Sequence, residues 1–140
     1  MKLLPFCAFF LFFIAACETG PVIIPVNLSP AEIIQRAQEA TDRNRYKTAL
    51  QYYQTLVDRN GTNIDLVCAG EYEIAFIHYK QKKYTIARKE FTALLERYDT
   101  PDEELLPGQY KKLANIVLAQ IEEKEKPGKI FGGARKEAAD

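Results

Sequence analysis

Apolar and polar positions follow three different patterns along this chain. From Leu3 to Ala16 almost every residue is apolar, a run of about fourteen that stops at Cys17. Residues 18–29, ETGPVIIPVNLS, contain two prolines and show no helical period. From residue 30 onward apolar side chains recur three and four positions apart, which places them on one face of an α-helix. Ala49, Tyr53 and Leu56 form one such face, and Tyr72, Phe76 and Tyr79 another. Ser29-Pro30-Ala31-Glu32 carries a helix start, with a Ser cap, Pro at the first helical position and Glu three residues after the Ser. Residues 127–140, PGKIFGGARKEAAD, open on a helix breaker and contain Gly132-Gly133, and are expected to be a disordered tail.

The helical part repeats itself. RYKTALQYYQTLVDR (45–59) aligns with KYTIARKEFTALLER (83–97) at a lag of 38 residues. Tyr46 meets Tyr84, Ala49 meets Ala87, Tyr53 meets Phe91 and Leu56 meets Leu94, while Ala37 meets Ala75 on the preceding segments. The same lag pairs Thr62 with Thr100, Gly70 with Gly108 and Tyr72 with Tyr110. Thr62–Asp65 and Thr100–Glu103 read as two further capping signals. A last helix of about 107–125 follows, with Leu113, Ala114, Ile116 and Val117 expected to face the preceding pair and a charged end suited to a cap. The expected fold is all-α: about five antiparallel helices, two hairpins plus a C-terminal capping helix, within 30–126.

The aromatic, then Ala three residues on, then a second aromatic four further, at Tyr46/Ala49/Tyr53 and Tyr84/Ala87/Phe91, resembles the late half of the tetratricopeptide repeat (TPR), a helix-turn-helix unit of 34 residues. The early half matches less well: Ile33 and Glu71 stand at the usual Trp position, and the unit is four residues longer. The resemblance implies that the first helix of each unit lines a concave groove. Ala31, Ile34, Gln38 and Thr41 would contribute from the first helix, Ala69, Tyr72, Phe76 and Tyr79 from the third, and Pro107, Tyr110, Ala114 and Val117 from the last. Tyr72, Phe76, Tyr79 and Tyr110 are the candidate partner-binding residues, with a plain core role as the competing reading.

The N-terminal run is short for a bilayer span, which needs about 20 apolar residues. It has the layout of an export signal. Ile14-Ala15-Ala16-Cys17 resembles the lipobox of bacterial lipoproteins. The resemblance implies a signal peptide over 1–16, acylation of Cys17, and an anchor and tether over 17–29 that lifts the domain off the membrane. Glu18 then implies an outer-membrane, periplasm-facing location.

Charge and composition narrow the chemistry. Nineteen basic residues balance nineteen acidic ones, so no nucleic-acid footprint is present. With Cys17 acylated and Cys7 in the signal, Cys68 has no disulfide partner, although a place at a helix start could make its thiol reactive. The single His78 sits at a packing position ten residues on, about 15 Å along a helix from Cys68. No metal-ligand spacing, phosphate loop or catalytic set is visible, so neither a cofactor nor an enzymatic role is expected.

Together with the tether, RYKTALQYYQTLV and KKYTIARKEFTALLERYDTP resemble the TPR lipoproteins of the outer-membrane-protein assembly (BAM) complex, which carry about five repeats. The expected function is a membrane-anchored protein-protein interaction scaffold in the envelope, with an envelope protein or peptide as partner. The alternatives are a periplasmic binding protein for a small apolar ligand or peptide, or an accessory component of an envelope transporter. Replacing Cys17 with Ser is expected to abolish radioactive fatty-acid labelling and leave the signal uncut; an unmodified residue 17 in the native protein, seen by mass spectrometry, refutes the anchor.

Overall fold

The computed structural model describes residue 20 and residues 22–126. The expected signal peptide, Cys17 and the expected tail over 127–140 lie outside the described residues. Five α-helices follow in order, α1 (Pro30–Asp42), α2 (Tyr46–Arg59), α3 (Ile64–Lys80), α4 (Tyr84–Glu96) and α5 (Gly108–Glu125), with one short 3-10 turn at Glu103–Leu105. There is no strand among the described residues, and the all-α expectation holds. α1 packs on α2 and α3 on α4 as hairpins, α2 joins the two, and α5 lies against α3 and α4. No helix among the described residues is long and apolar enough to cross a membrane.

The two hairpins are built alike. Ala37 and Ala49 in the first, and Ala75 and Ala87 in the second, are fully buried, so the paired helices approach closely. Tyr53 and Leu56, then Phe91 and Leu94, fill the space beside them. Each turn closes through a left-handed residue, Asn44 at φ 57° and Lys82 at φ 61°. Arg45 N–H donates to the Ala40 carbonyl (2.8 Å) and Lys83 N–H to that of His78 (2.9 Å), the 6→1 bond that ends a helix in a Schellman motif. The Ser29–Glu32 capping box forms at α1 as expected, and the Asn63 side chain caps α3.

The lag of 38 does not extend into α5. Residues 60–63 join α2 to α3, whereas 97–107 join α4 to α5, and the second capping signal opens only the 3-10 turn. The longer connection shifts the register. Gly70 is buried mid-helix, where an added Cβ would stand 2.5 Å from Val57 Cγ2 and 3.3 Å from the Tyr53 carbonyl oxygen. Gly108 begins α5 with open space around it. Ala114 and Ile121, both fully buried, repeat the seven-residue spacing of the buried Gly70 and Ile77, 44 positions on. Leu113 and Ile116, expected to face inward, are therefore 39% and 53% exposed, while Ala114 and Val117 join the core and do not line a groove.

The segment before α1 differs from a free tether. Val22, Ile24 and Leu28 pack against the first hairpin. Val22 N–H donates to Gln51 Oε1 (3.0 Å), and the Arg59 guanidinium donates to the carbonyls of Pro25 (2.9 Å) and Ile24 (3.2 Å). Residues 22–28 are a strap laid along α2, because their apolar side chains find a partly covered core edge there.

The register predicts opposite responses at the two glycines. Gly70→Ala is expected to destabilise the domain by about 1–3 kcal/mol through overpacking. Gly108→Ala is expected to be neutral or to stabilise by about 0.4–1 kcal/mol through lower unfolded-state entropy. Urea denaturation of both variants checks this.

Candidate functional site

α3 supplies most of the candidate side chains because its sequence, IDLVCAGEYEIAFIHYK, is apolar on nearly every side. One side meets α2, another meets α4 and α5, and a remaining strip faces outward between them. Tyr72, Phe76 and Tyr79 form a continuous row. Tyr72 and Phe76 stack with centroids 5.9 Å apart at 13°, and Phe76 and Tyr79 at 5.8 Å and 24°. The row continues to Tyr84 at the head of α4, 5.9 Å from Tyr79.

The four expected binding residues do not share one environment. Tyr72 is only 8% exposed and is held between Phe91 (5.6 Å) and Tyr110 (5.6 Å), so it belongs to the core. Phe76, Tyr79 and Tyr110 are half-buried against that core and keep one side accessible. The Tyr79 hydroxyl donates to Gln120 Oε1 of α5 (2.9 Å), which ties the end of the row to the last helix. Core and binding face thus divide within one stripe, between Tyr72 and Phe76.

Two charged residues complete the surface. The Lys80 ammonium lies 6.0 Å from the ring centres of both Phe76 and Tyr46, a cation placed between two aromatic faces. The Glu73 carboxyl is raised above its ordinary range by burial, with Lys80 opposing the shift. Burial, followed by the nearby Glu73 carboxylate, also raises the Tyr53 and Tyr72 hydroxyls. A signal was available: Glu71 and Glu73 are acids in the middle of an otherwise apolar helix. Glu71 is accounted for by Arg97, whose Nε and Nη2 donate to it at 2.8 and 2.6 Å. Glu73 is held by no such bidentate partner, and its desolvation is what marks it.

The groups with catalytic potential are elsewhere and apart. His78 Nδ1 lies 2.7 Å from Glu90 Oε2, joining α3 to α4 at a partly buried seam. Cys68 is fully buried, and burial pushes its thiol up despite a hydrogen bond with Tyr98, outweighing the lowering that a helix start could bring. Among the described residues no group of three or more His, Cys, Asp or Glu is placed to hold a metal ion. A separate groove of about 690 Å³ runs between α2 and α4, walled by Val57, Ile64, Ile74, Leu94 and Leu106, with the Glu71–Arg97 pair on its edge.

No protein-family model matches the chain, and no solved structure does. It is similar to an uncharacterized protein of Treponema pallidum (strain Nichols), 35% identical over 112 residues, which are 79% of this chain and 45% of that protein. The chain thus spans less than half the length of that relative.

The split within the stripe predicts unequal losses. Tyr72→Ala is expected to cost about 3–5 kcal/mol of stability, as for a large core ring. Tyr79→Ala should cost little beyond one exposed hydrogen bond, about 1 kcal/mol. Equal losses in denaturant titration would place both rings in the core.

Proposed function

We propose that the chain is a bacterial lipoprotein whose helical-hairpin domain works as a protein-interaction scaffold in the cell envelope. Cys17 carries the lipid, and the face of Phe76, Tyr79, Tyr110, Glu73 and Lys80 takes an extended segment of an envelope partner. The observation that carries this reading is Lys80 held between the half-buried Phe76 and Tyr46 rings, with the desolvated Glu73 carboxyl near enough to feel its charge. A desolvated carboxylate is costly to a fold unless it meets a complementary charge. Aromatic rings with a few polar groups are the usual composition of an interface anchor. The partner segment that fits has apolar or aromatic side chains and a positive charge to meet Glu73. The TPR resemblance of the two hairpins supports the same surface, and the BAM-like features of the sequence make outer-membrane protein assembly one setting for it. An outer-membrane, periplasm-facing position follows from the lipid on Cys17 with Glu18 after it. No catalytic or cofactor role is proposed.

The groove between α2 and α4 favours a second reading, a binding protein for a small apolar ligand or peptide. Its walls are apolar and its rim carries a fixed ion pair. Co-purification from detergent-solubilised membranes separates the two. A stoichiometric protein partner lost on Phe76→Ala or Lys80→Glu, in variants that remain folded, supports the scaffold. A retained small molecule, displaced on Ile74→Asp, supports the ligand binder.

Glu73 gives the pH test. Its folded pKa is raised above the ordinary glutamate value of 4.5. Well below that value the carboxyl is protonated in folded and unfolded chains alike, and Glu73→Gln should leave stability unchanged. As pH rises through the raised folded pKa, the native fold must hold an ionised, desolvated carboxylate and loses stability relative to the variant. Glu73→Gln is therefore expected to melt higher than the parent at pH 7 and equally at pH 3, while capturing the partner less well at pH 7.

A further inference from the structure

α5 leaves one side bare. Aligned on α3 by burial, so that Ala114 and Ile121 stand where Gly70 and Ile77 stand, α5 places Ala119 where α3 has Ala75. Ala75 is fully buried in the cluster that also holds Ala87 of the companion helix α4. Ala119 is exposed, as are Ile116, Gln120 and Glu123 around it. With Tyr79 and Lys124 these residues line a surface groove of about 930 Å³. The first helix of each preceding hairpin buries this side under a second helix, and α5 has none among the described residues.

The chain that follows α5 carries the pattern of a second helix. KIFGGARKEAAD (129–140) aligns with KKYTIARKEFTA (82–93) without a gap. Phe131 meets Tyr84, and Ala134-Arg135-Lys136-Glu137 repeats Ala87-Arg88-Lys89-Glu90 residue for residue. The alignment pairs small residues at three places in the sequence: Ala37 with Ala49, Ala75 with Ala87, and Ala119 with Ala134. The spacing is 12 residues in the first two pairs and 15 in the third. α5 runs six residues past Ala119, against five from Ala75 to the end of α3, and in sequence five residues (126–130) precede Phe131 where three (81–83) precede Tyr84. Five residues are within the usual range for a turn between antiparallel helices. Gly132 and Gly133 fall where α4 has Thr85 and Ile86, both exposed, so their small size removes no core contact. Arg135 and Lys136 are positive, and the last turns of α5 are acidic at Glu122, Glu123 and Glu125, of which Glu125 also meets Arg88 and Glu123 meets Lys126.

We propose that residues 127–140 fold back along α5, with 131–140 as the second helix of a third hairpin, seating Phe131 and Ala134 on the Ile116–Ala119 face. The occupant of that face is this chain's own continuation, in place of the disordered tail that Pro127 and the glycines imply. The proposal is independent of what the aromatic face binds.

The chain has no tryptophan, so Phe131→Trp introduces a single fluorescent reporter. In the full chain its emission is expected to be blue-shifted, and acrylamide should quench it several-fold less than in urea. Adding Ile116→Asp or Ala119→Asp, both at exposed positions that the described fold tolerates, should restore quenching while far-UV circular dichroism shows α1–α5 intact. A reporter as accessible in the native chain as in urea overturns the proposal. Protection that survives both α5 substitutions also overturns it, as does protection that varies with protein concentration or detergent, since the cover would then be a second copy or an amphiphile surface.

Discussion

Close approach of helices at small side chains is the constraint from which the rest of the domain follows. Ala37 against α2 and Ala75 against α4 set the distance within each hairpin, and Gly70 sets it between hairpins, with the Tyr53 carbonyl oxygen 3.3 Å from where a Cβ would stand. Helices brought this near leave room for large side chains only beside the crossing. Tyr53, Leu56, Phe91 and Leu94 occupy that room, which is why they alternate with the alanines at spacings of four and three. Interiors are close-packed, so enlarging a crossing residue displaces backbone and leaves no slack to absorb it. The aromatic row on α3 inherits its position from this arrangement, since the side of α3 opposite Gly70 is the one left for α4 and α5.

The site is best understood as a boundary. Tyr72 is sealed by Phe91 and Tyr110, and one turn later Phe76 meets solvent on one side and Lys80 on the other. A row that begins in the core and ends at the surface is rigid where it is anchored and accessible where it emerges. Rings held this way lose little rotamer freedom when a partner covers them. Glu73 lies on the same boundary, dry enough for its carboxyl to be raised and still within reach of Lys80.

Much of this was legible in the residues. The 38-residue lag located α2 and α4 and their buried alanines, because a periodic pattern reports which faces must be covered. It misplaced Leu113 and Ile116 because Gly70/Gly108 and Tyr72/Tyr110 coincide in sequence while the longer connection over 97–107 rotates α5 beneath them. A lag counts residues and is blind to a loop that absorbs some of them. The strap escaped notice for a related reason: Val22, Ile24 and Leu28 have no helical period, and their order comes from Gln51 and Arg59, 29 to 35 residues away. Glu73 was passed over because an acid in a mostly apolar helix gains meaning only once its neighbours' burial is known.

The strap changes what a lipid on Cys17 would do mechanically. Five residue steps separate Cys17 from Val22, where the strap begins, a leash of at most about 17 Å when fully extended. A domain on so short a leash, fastened along α2, cannot tumble freely above the bilayer. It would swing about one point, with the first hairpin toward the lipid and α5 away from it. Partners diffusing in the same membrane would then meet the domain in a narrow range of attitudes, and encounter would become a search in two dimensions with much of the rotational alignment already fixed.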